Sequence, residues 1–342
     1  MKSQRFGIEM EMTGISRKKA AEVIAAYFGA RAVYDGGSYD AYHVTDEQGR
    51  NWKVVSDASI HPAMRDGRSA SNFYKVEVVS PICHYEDIET IQELVRKLRR
   101  AGACVNDSCG IHIHVDAAPH SAKTLRNLVN IMVSKEDLLY KALAVDVARE
   151  DHYCQKTDLR FLEELNRKKP KSIESFERMW YHGDSRRYMH YDNSRYRALN
   201  LHSVFSKGTI EFRLFNGTMH AGKIKTYIQL SLAISHQALV QKGASHSRTK
   251  STNEKYTFRT WLLRLGMIGE EFQTARKFLL ENLEGNIAWK DPAQAERQKE
   301  RLAAKRMEEA AQSMQGREAE ETAEQEAETE AQQDAGFSMQ MF

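Results

Sequence analysis

Four short segments of this chain alternate apolar and polar residues with a period of two, and the polar positions of each carry ionisable groups. That period marks a half-buried strand, with one face on a core and the other open to solvent or ligand. In Phe6–Met12, the side chains of Phe6, Ile8, Met10 and Met12 point one way, which leaves Gly7, Glu9 and Glu11 on the other face. Residues 74–80 set Tyr74, Val76 and Val78 against Glu77, before Ser80 and Pro81 end the strand. In Gly110–Asp116, Ile111, Ile113 and Val115 oppose His112, His114 and Asp116; in 209–215, Ile210, Phe212 and Leu214 oppose Glu211 and Arg213. Strands with polar faces of this kind predict an α+β architecture. One mainly antiparallel sheet would carry helices over its apolar face and a reaction on its open face.

Helical periodicity appears between these strands. Residues 16–28 present Val23, Ile24, Tyr27 and Phe28 and stop at Gly29, and Ile88–Arg100 places Ile88, Ile91, Leu94, Val95 and Leu98 on one stripe. Longer helices are expected at Ala122–Leu143 and 223–242, with helical pieces between 257 and 282. From about residue 291 the composition changes to Ala, Glu and Gln with almost no branched or aromatic residues. Such a segment buries too little apolar surface to fold alone. The expectation is a catalytic domain over residues 1–290 and a low-complexity tail over 291–342, a solvated helix at 292–314 with the acidic stretch beyond it disordered.

The whole chain, 342 residues with 41% hydrophobic and 28% charged content, suits a soluble enzyme. The net charge of +3 does not indicate nucleic-acid binding, no run is apolar enough for a bilayer, and residues 1–12 do not read as a signal peptide. A cytoplasmic location is therefore expected. Its four cysteines form no CxxC pair and read as idle thiols.

Two carboxylates at i and i+2 of a strand place their oxygens within reach of one cation or two neighbouring ones, and hard oxygen donors suit magnesium shared with substrate phosphates. Glu9, Glu11, Glu77 and Glu211 make such a set. Any one of them alone would read as a surface glutamate, so the case rests on repetition. Arg213, on the face of Glu211, is placed to hold a phosphoryl group. His112 and His114 fit zinc less well than substrate or phosphate contacts, since HxH lacks a third ligand and carboxylates dominate the sheet. Gly110 would allow a ligand close to the backbone. Residues 180–196, dense in Arg, His and Tyr, read as a loop over the nucleotide or acceptor. No glycine-rich Walker loop is present.

The ordered series FGIEMEM, SDASI, VEVVSP, CGIHIHVD, YRALNLHS and TIEFRLFNGTM resembles the amidoligase family of carboxylate-amine ligases, over residues 4–235. That family is related to glutamine synthetase and gamma-glutamylcysteine ligase. The resemblance implies a glutamine synthetase-like catalytic sheet, ATP as nucleotide, and Mg2+ held by Glu9, Glu11 and Glu211, with Glu77 joining them or orienting their water. It implies further that Asp57 receives a proton from the attacking amine or positions it. His112 or His114 would contact nucleotide phosphates or metal, Arg213 would stabilise the γ-phosphate, and Arg197 and Asn200 would line the substrate pocket.

The reaction expected is ATP-dependent ligation through an acyl phosphate, joining a small-molecule or peptide carboxylate to an amine. Relatives in the family commonly work beside amidotransferase-like or acetyltransferase-like partners, and a homo-oligomer would complete an open sheet. Two rivals are a phosphotransferase on the same sheet, which would release a stable phosphorylated product, and a scaffold protein that engages a basic partner through the acidic tail.

Overall fold

The computed structural model describes residues 1–338. The chain begins with β1 (Phe6–Met12), α1 (Arg17–Phe28), β2 (Ala32–Gly36), β3 (Ala41–Thr45), β4 (Asn51–Val55), β5 (Val76–Val79), α2 (Ile88–Arg100) and β6 (Gly110–Asp116). Four helices follow: α3 (Ala122–Leu143), α4 (Val147–His152), α5 (Leu159–Lys168) and α6 (Ile173–Trp180). After them come β7 (Leu199–Asn200), α7 (His202–Lys207), β8 (Thr209–Asn216), α8 (Ala221–Val240), α9 (Glu254–Arg264), α10 (Gln273–Leu280) and α11 (Pro292–Ser338). By its internal contacts the chain divides into two units, Met1–Glu284 and Gly285–Phe342.

The eight strands form one antiparallel sheet in the order β2-β3-β4-β5-β1-β6-β8-β7. Its centre is built from the four alternating segments. Their apolar positions, Phe6, Ile8, Met10, Val76, Val78, Ile111, Ile113, Val115, Ile210 and Phe212, are all buried in one core with α1, α2, α3 and α8. The expected helices α1, α2 and α3 lie where their signals put them and α8 lies two residues earlier, whereas α4 to α7 were not anticipated. Ser16 caps α1 by accepting from Lys19 N, and Gly29 at φ 62° ends it. Ser121 and Thr124 form a capping box at the start of α3.

Four further features differ from the reading of the sequence. The segment expected to begin at residue 74 has Tyr74 in a 3-10 turn, Asn72–Tyr74, and pairing starts only at Val76. Strands β2 to β4 were not anticipated. Of these, β2 has no buried residue, and so carries no alternation to read. The alternation in β8 breaks, because Ile113 pairs with Phe212 and Ile111 with Phe215, so that an extra residue lies between them on β8. This bulge returns Phe215 to the core side while keeping Glu211 opposite His114. In the second unit α11 runs unbroken through Ser338, well beyond the helix expected to end at Met314.

Candidate active site

The register of the central strands assembles the ionisable residues into a row across the sheet. Glu11 of β1 stands opposite Glu77 of β5, Glu9 of β1 opposite His112 of β6, His114 of β6 opposite Glu211 of β8, and Glu211 opposite Asn200 of β7. Since neighbouring strands are about 5 Å apart, opposed residues on one face meet side by side. His112 is the hub. Its Nδ1 lies 3.1 Å from Glu9 Oε2 and 3.8 Å from Glu211 Oε1, and its Nε2 lies 3.9 Å from Glu11 Oε1. His114 Nδ1 pairs with Thr209 Oγ1 at 3.0 Å, and its Nε2 sits 3.2 Å from Glu9 Oε1 without hydrogen-bonding geometry.

The two ends of the row differ electrically. Burial acts to raise Glu211, yet the Arg213 guanidinium paired with it, helped by His114, lowers its carboxyl to about 2. Burial likewise opposes ionisation of Glu9, but the charge of His114, the hydrogen bond with His112 and the nearby Lys207 hold it well below the carboxylate range. Glu77 goes the other way: burial, then the charges of Glu9, Glu11 and Asp57, push it well above that range. Burial also raises Glu11, whose Oε2 accepts from the Gly110 backbone N–H.

Among the described residues, two groups of side chains could each hold a cation, Glu9–His112–Glu211 and Glu11–Glu77–His112, the ligand atoms of each lying within 4.8 Å of one another. The fit is chemical as well as geometric. Packed carboxylates with a raised Glu77 are what a binding site for a divalent cation looks like before its charge is neutralised, and the excess of oxygen donors suits a hard ion.

Above the row lies a cleft of about 460 Å³, lined by Glu9, Glu11, Glu77, His112 and Arg213 together with Asp57, Arg149, Tyr153, Tyr196 and Lys207. Asp57, in the turn after β4, accepts from Ser59 N and Ser59 Oγ at 2.6 Å, which fixes its carboxylate at the rim. Of the residues expected here, Glu9, Glu11, Glu77, His112, Arg213 and Asp57 line this cleft. Glu211 is buried beside them, and Asn200 is buried next to Glu211, donating to its Oε2 at 2.7 Å. His114 faces a second hollow of about 390 Å³ that shares Glu9 and Lys207 with the cleft.

Arg197 lies elsewhere. It lines a third cavity, of about 450 Å³, between α5, α6 and the segment after α6, where its Nη1 donates to the Lys156 carbonyl at 2.8 Å. The expected loop at 180–196 takes part in both sites: His190, Tyr191 and Arg195 line the cleft, while His182, Arg186 and Asp192 line the third cavity. Arg149, Tyr153 and Lys207 were not foreseen. They come from α4, its C-terminal end and α7, and no strand alternation marks such positions.

Among the described residues no helix is long and apolar enough to cross a membrane, and all four cysteines are free thiols. No curated protein matches the chain. Among solved structures it is similar to the bifunctional glutathione synthetase from Pasteurella multocida, at 11% identity and a TM-score of 0.39, over 81% of this chain and 46% of that one. The chain thus spans less than half the length of that protein. A family model described as "Putative amidoligase enzyme" matches residues 2–235, which include the whole carboxylate–histidine row. The chain belongs to this amidoligase family.

Proposed function

We propose that the protein is an ATP- and magnesium-dependent carboxylate-amine ligase working on a glutamine synthetase-like sheet through an acyl phosphate. The observation that carries this reading is the pair of cation clusters sharing His112 on the floor of a cleft that also presents Arg213 and Asp57.

Glu9, His112 and Glu211 would hold one magnesium ion and Glu11, Glu77 and His112 a second. Bound there, magnesium supplies charge neutralisation for the phosphates of ATP. Arg213, fixed by its pairing with Glu211, donates to the phosphoryl group as negative charge spreads over its oxygens. A substrate carboxylate oxygen forms the new bond to the γ-phosphorus as the bond to the ADP oxygen breaks. Asp57 at the rim then orients the amine and takes its proton as nitrogen attacks the acyl carbon and phosphate departs. Asn200 acts through Glu211, holding that carboxylate by its amide N–H. His114, tied to Thr209 and facing the second hollow, contributes to nucleotide binding rather than to the cation clusters.

The carboxylate and amine are small molecules or peptide termini. An amidotransferase-like or acetyltransferase-like protein partner, a homo-oligomer and a cytoplasmic setting belong to the same reading.

Calorimetric titration with a non-hydrolysable ATP analogue, with and without magnesium, tests it. Binding should require magnesium and fall at least about ten-fold in both Glu9→Gln and Glu211→Gln, since the amide keeps the shape but loses the charge the cation needs. Binding that ignores magnesium, or that both variants retain, would remove the basis of the reading. If turnover is found and its product is a stable phosphorylated compound rather than an amide, the protein is a phosphotransferase instead.

A further inference from the structure

Three arginines are buried among the described residues, and two have carboxylate partners: Arg17 pairs with Asp40 and Arg213 with Glu211. Arg149 is 2% exposed and makes no ion pair with any described carboxylate. Its Nε has no hydrogen-bond partner, and its Nη2 donates only to the Arg213 carbonyl at 3.3 Å. A guanidinium kept out of water in that condition is costly unless something anionic comes to it.

The fold spends several contacts on placing it. Asn216, at the end of β8, accepts from Asp146 N and donates to Ala144 O, and Asp146 Oδ1 in turn caps α4 by accepting from Ala148 N. The short helix is thereby pinned to the end of the sheet, with Arg149 directed over the start of β6. Gly110 makes the room. A Cβ at that position would lie 2.7 Å from Arg149 Nη1 and 2.8 Å from Cζ, so only glycine lets the guanidinium lie against the backbone. The same residue donates its N–H to Glu11, which brings Arg149 beside the second cation cluster. Arg149 and Arg213 line one cleft, and Tyr153 joins them: its carbonyl accepts from Arg213 Nε at 3.5 Å, and its ring lies 6.0 Å from the Arg149 guanidinium.

We infer that Arg149, seated on Gly110, forms with Arg213 an oxyanion subsite that takes the phosphoryl group during transfer and holds inorganic phosphate afterwards. This rests on the ligase reading. Arg213 is already neutralised by Glu211, so the unpaired guanidinium supplies the additional positive charge that a phosphoryl group, more highly charged than a carboxylate, calls for. With cations in both carboxylate clusters, the cleft carries a formal surplus of positive charge, which a multiply charged oxyanion matches better than a singly charged one.

Inorganic phosphate titrated calorimetrically into the full chain, with and without MgADP, tests the subsite. Arg149→Gln should weaken phosphate binding by about ten- to a hundred-fold, the range for a lost charge-assisted hydrogen bond. Arg149→Lys, which keeps the charge and loses the fork, should recover part of it. Gly110→Ala should reproduce the Gln variant in a folded protein, since the atoms it displaces are the far end of a flexible side chain. Thermal melts establish that each variant is folded, and MgADP affinity should be the same in all of them.

Equal phosphate affinity in wild type and Arg149→Gln would overturn the subsite, as would tighter binding of acetate than of phosphate, or no phosphate uptake by the wild type. Failure of the wild type to bind MgADP while phosphate binding still depends on Arg149 would remove the ligase reading and leave the anion site standing.

Discussion

Glu77 is the residue on which folding and ligand binding pull in opposite directions. Burial and the charges of Glu9, Glu11 and Asp57 all disfavour its ionised form, so the metal-free protein pays for its place in the row. Replacing it with Gln should raise the melting temperature of metal-free protein by about 2–4 °C, as expected for relief of roughly 1 kcal/mol of repulsion in a chain of this size. Magnesium should then stabilise the variant less than it stabilises the wild type. A lower melting temperature for Glu77→Gln without metal would mean that the carboxylate is a net support of the fold. The glutamates and histidines were legible because β1 and β6 are central strands whose apolar faces are wholly buried, so the alternation assigns the opposite face without ambiguity. Arg149 and Lys207 were not, since their entry into the cleft depends on how α4 and α7 dock against the sheet. Arg197 lines a cavity apart from the cleft for the converse reason. It adjoins a motif with real neighbours in the row, but Ala198 N bonds Gln155 O while its own guanidinium bonds the Lys156 carbonyl, which turns it to another cavity.

Elements with a strong signal of their own appear as expected. Caps at Ser16 and Ser121 and the apolar stripe of α2 depend on residues three or four apart, which act wherever the helix finally packs. The joints between elements were hidden, and one of them should govern behaviour in acid. His120 closes the turn from β6 into α3, and its Nε2 meets Ser235 Oγ of α8 at 3.1 Å. Burial lowers its pKa to about 4, against the opposing charge of Asp116. The unfolded chain binds that proton near the ordinary value of about 6.5 and the folded chain only near 4. Stability from this group is therefore complete above about pH 6.5 and is lost as the pH falls toward 4, by about 3 kcal/mol over the whole interval. His120→Gln keeps a donor at the position of Nε2 but does not titrate. Denaturant unfolding at pH 7 and pH 5 should show wild type losing more stability than the variant between the two, and equal losses would place the acid sensitivity in another group.

At the scale of the whole molecule, the two units divide labour sharply. Among the described residues, every buried apolar residue and every residue of the cation clusters belongs to Met1–Glu284. The second unit consists mainly of α11, where Leu302, Met307 and Met314 are each more than half exposed and are spaced five and seven residues apart. That spacing provides no continuous apolar seam, and helix formation there rests on the propensity of Ala, Glu, Lys, Arg and Gln. A segment nearly free of branched and aromatic residues cannot extend an apolar core. Composition does not show how far the helix runs, because Gly316 offers a stop signal just past Met314 and the helix nevertheless carries it in its interior. A chain ending at residue 290 should therefore melt within about 2 °C of the full chain, because the cooperative core is unchanged. It should also bind a non-hydrolysable ATP analogue with magnesium at the same affinity, since no described cleft residue has been removed. If the shortened chain keeps its melting temperature but loses the nucleotide, the tail contributes to the site directly. If it loses both, the stretch after residue 290 is part of the fold and the division by composition is wrong.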